Sequence, residues 1–292
     1  MENCMLCPHE CGANRKAGSV GVCGMTSDVY VAKAAPHFYE EPPISGTRGS
    51  GTVFFAGCSL SCLFCQNKAI SRGATGRKLS EEELKRLLLD LADSGVHNLN
   101  LVTATHYTDT VARVLKEIKP QLKIPVVWNS SGYESPGTLR LLEGLVDIYL
   151  PDFKYADNAL ATKLSHAPDY SAHACAALEE MYRQTGKVTF DSDGMLQKGV
   201  VVRHLVLPGH REDSANVLRL LASTLPVGDI RLSLMRQYTP DFAPDNAPQS
   251  LKRRLTTFEY ESVAALAAKL GFEGFLQEKS SATKDYTPDF TE

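Results

Sequence analysis

The stretch GCSLSCLFCQN, residues 57–67, puts Cys58, Cys62 and Cys65 on one short loop. A structural zinc site takes four ligands, and so does an ordinary iron–sulfur cluster. Free thiols are a poor account of so dense a group. A zinc ion completed by a distant histidine explains neither the C-x3-C-x2-C spacing nor its place directly after a strand. The reading that uses every ligand is a 4Fe–4S cluster held by three thiolates. Its fourth iron is then left open to a ligand from outside the chain.

A second group, Cys4, Cys7, Cys11 and Cys23, has the spacing C-x2-C-x3-C-x11-C and closes its own site. Two readings stand side by side. One is an auxiliary iron–sulfur cluster that relays electrons or binds substrate. The other is a structural zinc that folds a segment too small to fold unaided. His9 could replace a cysteine, but four thiolates make this unnecessary. Cys175, alone on a helical stretch, reads as core. Seven of the eight cysteines fall in the first 65 of 292 residues, which does not suit a secreted disulfide protein. The opening MENCMLCPHE has no apolar signal core, and no apolar run approaches the ~20 residues of a membrane span. A cytoplasmic, reducing compartment and no membrane partner are therefore expected. The net charge of −3 gives no electrostatic case for nucleic acid, and 43% hydrophobic residues suffice for a sizeable core.

The elements that must position these cysteines alternate between strand and helix signals. Residues 52–56 form a short β-rich run just before the three-cysteine loop. LSEEELKRLLLDLADSG predicts a helix with Ser80 as N-cap, Glu83 completing a capping box, and Leu84, Leu87, Leu88 and Leu91 on one face. Strands are expected at 98–103, 124–130, 146–150, 200–207 and 230–235, with a final one in EGFLQ. Helices are expected in DTVARVLKEI, in SPGTLRLLEGL behind Ser135 and Pro136, from about 151 to Gln184, in EDSANVLRLLAS, and behind Thr256. KVTFDSDGMLQKG reads as a hairpin turning at Asp193-Gly194. Repeated β/α units imply a parallel sheet in an α/β chain, and the dinucleotide-binding glycine fingerprint is missing. A partial (β/α)6 TIM-like barrel is the expected fold, with chemistry at the C-terminal ends of the strands. Three parts are expected: a Cys-rich metal-binding segment with its linker at 1–48, the barrel at 49–277, and a polar tail at 278–292.

GCSLSCLFCQN resembles the C-x3-C-x-aromatic-C signature of radical S-adenosylmethionine enzymes, with Phe64 at the aromatic position. GTVFFAGCSLSCLFCQN, VDIYLPDFKY and RHLVLPG resemble segments of the pyruvate formate-lyase-activating enzyme family. CMLCPHECG and EEPPISG are most similar to a branch of activating-enzyme homologues with an N-terminal four-cysteine motif. The resemblance implies that S-adenosylmethionine chelates the open iron through its amino and carboxylate groups. One electron then cleaves the sulfonium, and a 5′-deoxyadenosyl radical takes hydrogen from a substrate. It implies a low cluster potential and anaerobic oxidoreductase chemistry. It also marks contacts to the cofactor: Phe64 and Asn67 beside the cysteines, Asn129 and Ser130 in NSSG, Asp152 and Lys154 in LPDFK, and Asn216 after LPGH. In the family a Gly-Gly-Glu-Pro-like segment receives the cofactor's amino group. Here that place reads TATHYT (103–108), leaving Thr103, Thr105 or backbone carbonyls to accept, with His106 as a core histidine.

Partners implied by the resemblance are a glycyl-radical enzyme or other protein substrate, and an electron donor such as flavodoxin or ferredoxin. A small-molecule radical enzyme is the alternative, and a non-catalytic zinc or iron–sulfur protein is a third class. Tyr-x-Pro-Asp-Phe occurs at 149–153, 238–242 and 286–290. Chance recurrence of turn-favoured residues is the simpler reading, and a tail that folds back as a lid is the sharper one.

Overall fold

The computed structural model describes residues 3–73, 75–281 and 290. Its strands are β1 (Val29–His37), β2 (Ser50–Phe55), β3 (Arg77–Leu79), β4 (Leu99–Val102), β5 (Val126–Ser130), β6 (Ile148–Pro151), β7 (Thr189–Phe190), β8 (Leu196–Leu205), β9 (Arg231–Met235) and β10 (Gly274–Leu276). Its helices are α1 (Pro42–Ser45), α2 (Glu81–Asp93), α3 (Thr108–Ile118), α4 (Pro136–Leu139), α5 (Asn158–Ser165), α6 (Tyr170–Thr185), α7 (Arg211–Thr224) and α8 (Thr257–Lys269). Strands β2, β4, β5, β6, β8, β9 and β10 pair in that order, all parallel. The path of pairings ends at β10 on one side and β3 on the other. Among the described residues the barrel is therefore open, which is the expected partial TIM-like barrel.

Alternation along the strands separates two faces. Leu99, Leu101, Val126, Trp128, Tyr149, Val200, Val202, Leu232 and Leu234 lie in the apolar cluster shared with the outer helices. The opposite parity faces inward: Val127, Ile148, Leu150 and Val201 near the strand starts, and Asn129, Arg203 and Ser233 nearer the ends. The helices begin where the caps direct. Ser80 and Glu83 form the expected capping box, and Thr256 forms a second one with Glu259. The hairpin turns as expected, with Gly194 at φ 78°. The helix after Ser135 is shorter than expected: α4 gives way to a 3₁₀ turn at Arg140–Leu142, and Gly144, at φ 75°, turns the chain toward β6.

Two features differ from the sequence reading. First, VYVAKAAPH forms the strand β1, which pairs antiparallel with both β2 and β3. Second, EEPPISG does not behave as a linker. Ile44 of α1 is fully buried between Val127, Ile148, Leu150, Val188, Leu196 and Val201. Asn98 Nδ2 donates to the Ile44 carbonyl at 2.7 Å and fixes the segment there. Helix α1 is thus a plug in the lower half of the barrel. The apolar inner residues of three strands and the approach to the hairpin close around one isoleucine, and Pro42 and Pro43 stiffen the chain leading to it.

Candidate radical and cofactor site

The three-cysteine loop leaves β2 through Gly57, at φ 84°. A Cβ there would lie 2.2 Å from Met25 Cγ and 2.9 Å from the Cys23 carbonyl, so only glycine admits this approach. The loop is pinned by its backbone: Cys58 N–H donates to Cys23 O at 3.2 Å, Ser61 N–H to Ser165 O at 3.2 Å, and Leu63 N–H to Leu164 O at 2.9 Å. Ser165 Oγ donates to Cys62 Sγ at 3.0 Å.

Burial pushes the Cys58 thiol up to about 12, with repulsion from Cys62 and Cys65 adding to it, while Lys154 works the other way. Burial and Cys62 likewise raise Cys65. Three adjacent thiols, with Cys58 and Cys65 held from ionising by burial, are a donor set suited to iron, since coordination deprotonates a thiol outright. The residues present therefore fit a cluster at this loop.

All three cysteines line a cavity of about 750 Å³, together with Phe64, Asn67, Thr103, Asn129, Ser130, Asp152 and Lys154. The structure thus brings most of the expected site residues together. Phe64 is buried and packs edge-on against Tyr238, with ring centroids 6.1 Å apart. Thr103 stands at φ 61°, a left-handed conformation that a β-branched residue rarely adopts. Its N–H donates to Asn129 O at 2.9 Å. Ser130 Oγ donates to the buried Glu134 at 2.6 Å.

Two expected contacts do not line the cavity. Thr105 Oγ1 turns away to donate to Glu134 Oε1 at 3.0 Å, in a buried group that also takes Trp128 Nε1. Asn216 is exposed on α7, where its Oδ1 accepts from Arg219. The physical reason is helix phase: Ser214, Ala215, Val217 and Leu218 take the buried face. His106 is the expected core histidine, its Nε2 on the Ala56 carbonyl at 2.8 Å and its pKa pushed down to about 3 by burial.

The sequence reading missed the charged floor of this cavity. Arg203 on β8 donates from Nε to Asp152 Oδ1 at 3.0 Å, from Nη1 to Glu40 Oε2 at 3.2 Å and from Nη2 to Asn129 Oδ1 at 2.5 Å. Asp152 also holds Lys154 Nζ at 2.5 Å. Arg203 and Lys154 keep the Asp152 carboxyl below its ordinary value against the burial that opposes them. Glu40 and Glu41 come from the turn that leads into the plug, and burial raises both. The signal that could have found this network is VVVRHLVL: an arginine inside an apolar parallel strand must have buried anions to meet.

The N-terminal quartet packs on the three-cysteine loop. Besides the Cys23–Cys58 backbone bond, His9 Nε2 meets the Ser59 carbonyl at 2.8 Å. Arg15, buried, donates to Met25 O at 3.1 Å, to His106 O at 2.6 Å and to Thr26 O at 2.5 Å. Its Nη1 also lies 3.7 Å from Cys4 Sγ. Burial pushes Cys7 up to about 12, with the other three cysteines of the quartet adding to it. Burial opposes the Cys11 thiolate too, but the amides of Ala13 and Val22, Cys4 and Arg15 outweigh it and bring Cys11 below its ordinary value. Among the described residues no His, Cys, Asp or Glu group is drawn in to the spacing of a single bound ion. What the fold provides is the gathering of the thiols.

The Tyr-x-Pro-Asp-Phe copies are not equivalent. Asp152 of the first faces the cavity, whereas Asp241 of the second accepts from Thr239 Oγ1 at 2.6 Å. Residues 286–289 of the third lie outside the described residues. Phe290 packs edge-on against Phe54, a residue of the cavity wall, with centroids 5.4 Å apart.

A parallel barrel open on one side, with three cysteines at the end of its first parallel strand, defines the class. Residues 52–221 match the model of the Radical SAM superfamily, more than half of the chain, and the chain belongs to that superfamily. Membership implies a 4Fe–4S cluster and S-adenosylmethionine as the cofactor pair. An uncharacterized protein of Methanocaldococcus jannaschii is 28% identical over 281 residues, covering 93% of this chain and 76% of its own. Among solved structures, a radical SAM methyltransferase from Sphaerobacter thermophilus aligns with TM-score 0.51 at 15% identity, over 77% of this chain and 65% of its own. SuiB of Streptococcus suis, bound to S-adenosylmethionine, aligns with TM-score 0.50 at 14% identity, over 76% and 48%. The chain spans a little under two thirds of the first of these structures and a little under half of the second, and both share its fold. No helix among the described residues is long and apolar enough to cross a membrane.

Proposed function

We propose that this chain is a radical enzyme of the activating-enzyme-like branch, with Cys58, Cys62 and Cys65 as the ligands of its 4Fe–4S cluster. The observation that carries this reading is that the three thiols open onto one cavity lined by Asn129, Ser130, Asp152 and Lys154. When bound, the cluster and S-adenosylmethionine supply a one-electron cleavage whose 5′-deoxyadenosyl radical takes hydrogen from a substrate. The chain's own residues set the conditions for this. Phe64 and Leu60 wall the cavity beside the cysteines and limit water there. Lys154 places a positive charge that favours the thiolates of Cys58 and Cys65. Asp152 and Arg203 hold Lys154 and Asn129 at the wall without freedom to swing.

The quartet Cys4, Cys7, Cys11 and Cys23 is proposed as a second metal site, zinc or iron–sulfur. Its direct backbone contact with Cys58 suits either a brace for the cluster loop or a relay into it. The resemblance proposes a glycyl-radical enzyme as substrate and a flavodoxin or ferredoxin as electron donor. Anaerobic reconstitution with iron and sulfide, reduction, and addition of S-adenosylmethionine test the reading. 5′-Deoxyadenosine is expected from the native chain and not from Cys62→Ala. No product from a reduced, intact cluster would reject the radical reading.

A further inference from the structure

The cavity carries more carboxyl groups than cations. Glu40, Glu41 and Asp152 bring three carboxylates to it, and Arg203 and Lys154 bring two cations. Glu41 is 8% exposed, and its Oε2 is buried with no hydrogen-bond partner. The rest of the group is satisfied: Glu40 takes Arg203, Asn100 and Asn129, and Asp152 takes Arg203 and Lys154. A buried carboxylate oxygen without a donor is costly, and structures keep such groups where something else meets them.

The cavity has two chemically distinct ends. Lys154 stands under the electrostatic influence of Cys62 as well as Asp152. Glu41 shares the influence of Arg203 with it, but otherwise answers to Glu40 and the Ser233 hydroxyl of β9. A cofactor tethered at the cysteines would lie beside Lys154, which would leave Glu41 for the molecule it acts on.

We propose that Glu41 is a specificity-determining residue whose carboxyl group, at the cavity wall, takes an ammonium or guanidinium group of the substrate. This rests on the radical reading above for what "substrate" means, but the recognition chemistry does not. Burial holds the Glu40–Glu41 pair toward its protonated form when the cavity has no cation. An incoming cation takes the place of that proton, so binding releases it. A neutral group of the same shape finds Arg203 and Lys154 already paired and gains nothing comparable. The cofactor's own ammonium has the same chemistry, and the test separates the two sources.

The test uses the full chain with its cluster reconstituted and oxidised, and two probes of matched shape: n-butylguanidinium and the neutral n-butylurea. With butylguanidinium at roughly tenfold its Kd, a rise in Tm of about 3 °C is expected. Butylurea should give none, and the rise should vanish in Glu41→Gln. S-Adenosylmethionine affinity, read by equilibrium dialysis, should stay within about twofold in Glu41→Gln. Equal response to both probes would overturn the proposal, as would a guanidinium response that survives Glu41→Gln. A tenfold or greater loss of S-adenosylmethionine affinity would also overturn it, because the carboxylate would then serve the cofactor. Calorimetry of butylguanidinium binding in two buffers of different protonation heat needs no variant. Proton release is expected, and binding without it would refute the exchange. 5′-Deoxyadenosine formation is read on the same preparation. Its absence would reject the radical reading and leave the probe result as measured.

Discussion

Arg203→Met removes the one guanidinium that Glu40, Asp152 and Asn129 share. Arg203 and its two carboxylates are mostly buried, with side-chain exposures of 15%, 10% and 16%, so solvent screens them little. Breaking a buried ion pair by deleting one partner costs about 3–5 kcal/mol, and here Glu40 loses its cation while Asp152 keeps Lys154, which places the loss within that range near neutral pH. The sign of the pH dependence follows from the two carboxyls. Asp152 is held below its ordinary value by Arg203 and Lys154. It contributes stability above its unfolded pKa, and that stability is lost as pH falls through the folded value. Glu40 is raised by burial, with Arg203 opposing. A raised acid stabilises below its ordinary pKa and loses that contribution as pH rises. Without Arg203, Asp152 gains less from ionisation and Glu40 loses more. The gap between native and variant must therefore widen from about pH 5 to about pH 7.5. Urea unfolding of both proteins at the two pH values, compared at unchanged slope, reads it. A gap that is equal at both, or below about 1 kcal/mol at the higher pH, would refute the buried-network argument.

Ile44→Ala should destabilise the chain by about 2–5 kcal/mol in chemical unfolding, because six apolar neighbours surround a side chain with no exposure; a loss under about 1 kcal/mol would mean that α1 is not a plug. Thr103→Gly should stabilise the metal-free chain by about 1 kcal/mol in the same assay, since glycine carries no penalty at φ 61°; a destabilisation would show that the Thr103 side chain supports the fold. Arg15→Met removes the donors that brace the N-terminal segment at Met25 O and Thr26 O and tie it to the barrel at His106 O. Alkylation of Cys7 and Cys23 in the metal-free chain should then be roughly tenfold faster, a local opening of about 1.4 kcal/mol; unchanged rates would mean the segment is held elsewhere.

The barrel was legible because its strands and helices carry their own punctuation. Ser80–Glu83 and Thr256 mark helix starts, and Asp193-Gly194 marks the hairpin. The cysteine loop and NSSG were legible as residues at strand ends, where a parallel barrel gathers chemistry. What was not legible depends on contacts between distant segments. VYVAKAAPH alternates only weakly, and β2 and β3 give it its place. Glu40 and Glu41 carry no local mark of a role, because nothing near them in the sequence shows that Ile44 is buried inside the barrel. Asn216 is placed by likeness to a family pattern and Thr105 stands where the sequence departs from it, yet the phase of α7 and Glu134 turn them elsewhere.

The central claim is that the loop at 57–67 holds a cluster with one iron open to the cavity. Electron–nuclear double resonance on the reduced, reconstituted chain, with S-adenosylmethionine carrying ¹⁵N in its amino group, tests it most directly. A nitrogen coupling from the cofactor is expected in the native chain, with no comparable cluster signal in Cys58→Ala, Cys62→Ala or Cys65→Ala. A reduced cluster without that coupling, or one that survives the three substitutions, would contradict the account.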